Sequence, residues 1–298
     1  MGNYSIRDLE RLTGIKAHTI RIWEKRYGLI APGRTNTNIR AYCDSELKKL
    51  LNIAILNRNG FKISKIAKLS HEEITQNINK LTEHQYDAES YLENLALTII
   101  DLDEQKFEKI FSRAILQFGF EDTIIKIISP FFIRIGIMWQ TGSINPAQEH
   151  FISNLLRQKI MVAIDSQMPD PHKQSKTFML YLPEGELHEL GLLFSSYIIR
   201  KRGHQVIYLG QSVPFSDLVE IDHIRHVDYI LTSFITPNPH NLLGQYIQKL
   251  SDQFPAKTIF IIGELLSTYP DTLPKNVKYL ASPSNLITEL KEIVPEYA

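Results

Sequence analysis

The sequence predicts a multidomain chain, α-helical over its first half and α/β over its second. Three observations lead there. Basic residues gather at one end: residues 1–68 hold 14 Lys+Arg against 5 Asp+Glu, although the 298 residues together carry a net charge of zero. From about Tyr86 to Gln167, apolar residues recur at three- and four-residue spacing, as in Leu92, Leu95 and Ile99 or Phe107, Ile110, Phe111 and Ile115, which is the helical period. Beyond the proline-bearing stretch Met168–Ser175, short β-rich runs alternate with helical ones, as in a parallel sheet with covering helices.

Composition narrows the function. Hydrophobic residues make up 43% and charged residues 22%, ordinary for a globular protein. No apolar run approaches the roughly 18 residues that span a membrane, so no membrane contact is expected and the cytoplasm is the expected compartment. Cys43 is the only cysteine, which excludes an internal disulfide and a thiolate metal cluster. A basic end on a remainder with 19 basic and 28 acidic residues points to nucleic acid at that end alone.

Residues 1–75 form the first expected domain. Ser5-x-x-Asp8 reads as a capping box opening a helix through Leu12. Gly14 permits a tight turn, and Ala17–Arg26 forms a second helix. This is the helix-turn-helix layout, whose second helix enters the major groove. Its candidate groove-facing residues are Lys16, His18, Thr19 and Arg21, with Ile15, Ile20 and Trp23 turned inward. The loop from Pro32 to Tyr42 brings Arg34, Asn38, Arg40 and Tyr42, which suit phosphate contact by a wing. The polar residues 71–85 are expected to connect.

Thr19-Ile20-Arg21-Ile22-Trp23-Glu24-x-x-Tyr27-Gly28-Leu29, then Asn38-Ile39-Arg40-Ala41-Tyr42 and Asp44, resembles the winged helix-turn-helix of the MerR family from residue 4 to about 70. The resemblance implies a double-stranded DNA operator as partner, with Arg21, Arg40 and Tyr42 at backbone-contacting positions. Metal-sensing members use cysteine thiolates, and this chain has none after Cys43.

Residues 86–167 fit a four-helix bundle, and residues 175–298 an α/β domain with strands at Thr177–Leu182, Gln205–Leu209, Tyr229–Ser233, Thr258–Ile262 and Val277–Leu280. Glu186-x-His188-x-x-Gly191 lies where the first strand gives way to a helix, at the crevice where such sheets bind ligands. An imidazole there can ligate a metal through one nitrogen while a carboxylate fixes the other. Forty-one residues separate Gly191 from Ser233-Phe234-Ile235, and twenty-seven more lead to Gly263. In the bundle, Trp139 is followed after nine residues by Glu149-His150.

These spacings together resemble the cobalamin-binding module, a helical bundle followed by a Rossmann-like (flavodoxin-like) domain. The resemblance implies cobalamin, adenosyl- or methyl-, with His188 as the lower axial cobalt ligand and Glu186 as its hydrogen-bond partner. Gly191 would admit the corrin close to the helix, and Ser233 and Gly263 would meet the nucleotide tail. Trp139 would cover the upper face, with Glu149 and His150 around the upper ligand. Glu264 replaces the family's second glycine, and Gln140 stands where several light-sensing members carry histidine.

The implied function is a DNA-binding transcription regulator, a repressor, controlled by cobalamin and through it by light, acting as a homo-oligomer (dimer or tetramer). A second reading keeps the DNA function with a degenerate pocket, under the control of oligomerisation or of a protein anti-repressor. A third is a component of a cobalamin-dependent methyltransferase or mutase, for which the chain lacks a barrel-sized partner domain. Leu209–Pro214 has one glycine before a helix, which does not support nicotinamide binding.

Overall fold

The computed structural model describes residues 4–34, 40–81, 88–140, 142, 144–167, 175–235, 240–263 and 272–293. Asn38, Glu264 and most of the proline-bearing stretch lie outside the described residues, as do the side chains of Arg34 and Gln140. The chain divides into two compact units, Met1–Leu155 and Leu156–Ala298.

The first unit opens with α1 (Ile6–Thr13), started by the Ser5–Asp8 capping box and ended at left-handed Gly14. The next helix, α2 (Ala17–Tyr27), has no side-chain cap of its own. Glu10 serves instead, its Oε2 accepting the Ala17 amide at 3.1 Å. The acid of one helix thus satisfies an orphan amide of the next, which sets the angle between them. A small wing follows, β1 (Gly33–Arg34) antiparallel to β2 (Arg40–Ala41), and Tyr42 bridges back to Tyr4 by two backbone hydrogen bonds of 2.8 and 3.0 Å.

Three helices follow the wing: α3 (Asp44–Arg58), α4 (Ile63–Ile66) and α5 (His71–Leu81). The last occupies residues expected to be a connector. Its start is a second capping box, Ser70 N to Glu73 at 2.7 Å and Glu73 N to Ser70 Oγ at 3.1 Å. Ile74 and Ile78, one turn apart, are both buried.

The bundle comprises α6 (Ala88–Asp101), α7 (Glu104–Phe118), a third rod running from α8 (Phe120–Thr123) to α9 (Ser129–Gln140), and α10 (Pro146–Asp165). Between α8 and α9 the rod widens into a π turn at Ile124–Ile128. Pro130 follows directly and has no N–H to offer the preceding turn. Just before it, Ser129 doubles its hold on the π turn, its Oγ donating to Ile124 O at 3.0 Å beside its own amide.

Ion pairs tie α3, and through it α1, to the bundle. Arg58 on α3 lies 3.0 Å from Glu93 and 3.6 Å from Glu89 on α6. Arg134 on α9 meets Glu89 at 2.5 Å. Arg58 also donates to Thr13 O at the end of α1, at 3.2 Å. Glu93 is fully buried, and Arg58 sets a cation beside it.

The second unit is a five-stranded parallel sheet of β3 (Thr177–Pro183), β4 (Gln205–Val213), β5 (Tyr229–Ser233), β6 (Thr258–Ile262) and β7 (Val277–Leu280), in the order β4-β3-β5-β6-β7. Past Thr177, every residue of β3 is buried, as expected for a central strand covered on both faces. The connecting helices are α11 (Leu190–Lys201), α12 (Phe215–Ile224), α13 (His240–Gln253) and α14 (Pro283–Ile293). Leu218 of α12 and Leu243, Ile247 and Leu250 of α13 share one core with Met179, Tyr181, Ile230 and Ile259. Helix α11 packs on β3, β4 and β5, beside α14. The order reverses between β3 and β5, so the crevice beyond their C-terminal ends is the topological switch point.

Replacing Arg58 by Ala removes the cation 3.0 Å from the buried Glu93 and is expected to cost about 3 kcal/mol of stability by urea denaturation. Arg58→Met combined with Glu93→Met should recover most of that loss; a double variant as unstable as Arg58→Ala would reject the pairing.

Candidate functional site

The switch-point crevice is organised by one carboxylate. Glu186, 5% exposed, sits in the loop after β3. Its Oε1 accepts the Leu187 and His188 amides at 2.9 and 3.0 Å and His188 Nδ1 at 2.6 Å. Its Oε2 accepts the Ile235 amide, at 2.9 Å, from the loop after β5. One side chain therefore joins the two loops that form the crevice. The loop is also moored to β4, through Gly185 N to Ser212 Oγ at 3.1 Å and Gln211 Nε2 to Leu187 O at 2.6 Å.

This arrangement sets the state of His188. A ring nitrogen 2.6 Å from a carboxylate is the proton-bearing one, so Nδ1–H donates to Glu186 and Nε2 carries the lone pair. The His188 side chain is 61% exposed. Leu187 and Ile235 beside it are exposed apolar residues, so the imidazole stands within an apolar margin. Gly191, in the first turn of α11, has no heavy atom within 4 Å of where a Cβ would stand. An oriented imidazole, an apolar surround and an unfilled glycine position fit a large flat metallo-macrocycle bound through Nε2.

The other two expected tail residues lie at neighbouring strand ends. Ser233 closes β5 and is buried. Gly263 follows β6 with φ of +136°, and a Cβ there would lie 2.3 Å from Phe234 O. The glycine expected to make room for a ligand is thus required by the backbone of the adjacent loop, whatever else it does.

In the first unit, Trp139 stands near the end of α9 and is 58% exposed, although a tryptophan is ordinarily mostly buried. Glu149 and His150 lie in the first turn of α10. Glu149 Oε2 is 2.9 Å from His150 Nδ1, and its other oxygen accepts from Ser153 Oγ.

On the DNA-reading helix α2, Lys16, His18 and Arg21 are exposed and Thr19 is half-buried, whereas Ile20 and Trp23 belong to the core. Ile15, expected inward, is only half-buried. Arg40 is set beside α2 by Glu24, whose Oε1 accepts its Nε at 3.2 Å. Tyr42 corrects its expected role. It is 1% exposed, and its hydroxyl donates to Glu24 at 3.4 Å, so it packs the wing onto the helix rather than offering a surface to phosphate. Burial and the neighbouring Glu24 charge push its phenol up to about 12. Glu24, the residue that gathers Arg40 and Tyr42, had no predicted role.

Comparison with known proteins defines the class. Residues 4–73 match the family model described as MerR HTH family regulatory protein, and residues 91–163 that of the B12 binding domain. The chain thus joins a MerR-type DNA-binding domain to a B12 binding domain, followed by a parallel α/β unit. Its relatives include the HTH-type transcriptional repressor CarH of Myxococcus xanthus, 27% identical over 221 residues that span 72% of this chain and 73% of that protein. The HTH-type transcriptional repressor CarA of the same organism is 27% identical over 232 residues, 77% of this chain and 76% of that protein. The Methanosarcina barkeri monomethylamine corrinoid protein shares the fold, with a TM-score of 0.53 at 14% identity over 70% of this chain and 100% of that one.

Glu186→Ala removes the acceptor of four N–H groups and is expected to lower stability by about 1–3 kcal/mol, while broadening the NMR signals of both Leu187 and Ile235. Sharpened or unchanged signals in either loop would contradict the bridging role.

Proposed function

We propose that the protein is a DNA-binding transcription regulator, a repressor, whose state is set by bound cobalamin. The observation that carries this reading is the buried Glu186 holding the exposed His188 ring by Nδ1 at the switch point. His188 binds cobalt through Nε2, Glu186 fixes the tautomer, and Gly191 leaves the corrin its approach. By the resemblance, Trp139, Glu149 and His150 would lie near the upper ligand. Cobalamin supplies a cobalt–carbon bond that light can break.

On the DNA side, Lys16, His18, Thr19 and Arg21 read the groove, and Arg34, Asn38 and Arg40 meet phosphates. The protein works as a homo-oligomer in the cytoplasm and has no catalytic turnover of its own. Paired readers on adjacent half-sites gain affinity by effective concentration. The repressors CarH and CarA, similar over most of the chain, support the sign of regulation. The absence of a helix long and apolar enough to cross a membrane among the described residues agrees with a protein that works on DNA.

Purified protein incubated in the dark with adenosylcobalamin and desalted should keep the corrin spectrum, and His188→Ala should lose it or show cobalt without imidazole. Size exclusion before and after green light reads the oligomer. Colourless wild-type protein would sink the cofactor assignment. For DNA, Arg21→Ala and Arg40→Ala should each weaken binding to a duplex selected from a random pool and reduce the salt slope by about one, leaving the corrin spectrum intact. An unchanged slope would remove both from the phosphate contacts.

A further inference from the structure

The second unit has a recess at the end of the sheet opposite His188. It is lined by Gln167, Arg200, His204, Gln205, Val206 and Arg225, among others, and holds about 200 Å³. Its floor is the beginning of β4, whereas the far end of β4 touches the Glu186 loop through Ser212 N and Glu186 O at 3.2 Å. Nine residues of strand at about 3.3 Å each separate the two places, so the recess is not part of the crevice.

Two guanidinium groups face it, and neither is neutralised. Arg200, in the last turn of α11, donates to Ser196 Oγ at 3.4 Å and to Val206 O at 3.1 Å. Arg225, at the end of α12, donates to Gln205 Oε1. All these acceptors are uncharged, and neither arginine makes an ion pair with a described residue. The described lining contains two amides and an imidazole but no carboxylate. Half-burial, with no described acid in the lining, pulls the Arg200 guanidinium below its usual value, as desolvation of a cation does. Elsewhere in this unit, partly buried cations have their acids: Lys257 has Asp222 at 2.8 Å and Arg157 has Glu189 at 2.9 Å.

We propose that this recess binds a small oxyanion, inorganic phosphate or a phosphate monoester. Guanidinium groups present planar forks of N–H donors that match tetrahedral oxyanions, and Gln167 and Gln205 add neutral donors. The volume is below the roughly 300–1,000 Å³ of pockets for drug-sized ligands, so the occupant is a single phosphate group with at most a short carbon chain. Such a ligand would clamp the end of α11 to the end of α12 across the start of β4.

The test titrates the full chain with sodium phosphate, and separately with glycerol phosphate, in chloride buffer at constant ionic strength. Binding is followed by ³¹P line broadening and by the melting temperature. Saturable binding is expected, weakened at least tenfold in Arg225→Gln, whose exposed side chain can change without loss of the fold, and likewise in Arg200→Gln. Arg202→Gln, outside the recess, should bind as wild type does. Tighter binding of the ester identifies an organic phosphate as the ligand; equal or tighter binding of the free ion identifies phosphate itself. Absence of saturable binding, or binding equal in Arg225→Gln and wild type, overturns the proposal. So does a melting temperature that falls in Arg200→Gln while phosphate leaves the wild type unmoved, since the arginines would then be structural alone.

Discussion

The crevice of the α/β unit depends on keeping the Glu186 carboxylate ionised and out of water. An ionised carboxylate removed from water costs several kcal/mol unless its oxygens are fully matched. Here four N–H groups from two loops supply the match: Leu187 N, His188 N and His188 Nδ1 on one oxygen, Ile235 N on the other. Parallel strands need long crossovers, so these two loops are distant in sequence and have no ladder to hold them once the strands end. The carboxylate replaces the ladder. It also orients the His188 imidazole through Nδ1, so the interaction that closes the crevice also fixes the ring at its edge.

Charge is used with similar economy at the DNA-reading end. Each of the five acids in residues 1–68 is committed to an internal acceptor role. Asp8 takes the Ser5 amide, Glu10 the Ala17 amide, Glu24 the Arg40 and Tyr42 donors, Asp44 the Tyr4 hydroxyl, and Glu46 the amides of Ala31 and Cys43. Excess positive charge on a small domain is self-repelling, and dispersed surface acids would relieve it at the expense of attraction to a polyanion. Spending them on helix starts and on the wing hinge gives local order and leaves Arg21, Lys25 and Arg26 exposed.

Much of the fold was legible because the strands obey local rules. Tyr229–Ser233, Thr258–Ile262 and Val277–Leu280 are unbroken β-rich runs, and they are the observed strands β5, β6 and β7. Helix α5 was missed because its polar composition outweighed two weaker signs, the Ser70-x-x-Glu73 box and the Ile74/Ile78 pair. The roles of Tyr42, Glu24 and Gly263 were not legible at all, since each depends on a partner brought near only by folding. A tyrosine in a basic loop looks like a phosphate contact until Glu24 and Tyr4 are seen beside it. A glycine after a strand shows nothing of Phe234 O until β5 and β6 are paired. Within the candidate site, Glu186 and His188 could be read as a dyad from their spacing, but the third and fourth partners of the carboxylate could not.

Any coupling between a ligand and DNA must rest on a difference in binding between states, and the first unit limits where that difference can act. Arg58 holds the end of α1 and both glutamates of α6, and Arg134 holds Glu89 from α9. Trp139 lies on the same helix as Arg134, five residues further along. At the buried member of this ion network, Glu93, separating the charges leaves a carboxylate out of water at a cost of about 3–5 kcal/mol. The end of α1, α3, α6 and α9 are thus held to one another by charge within the first unit.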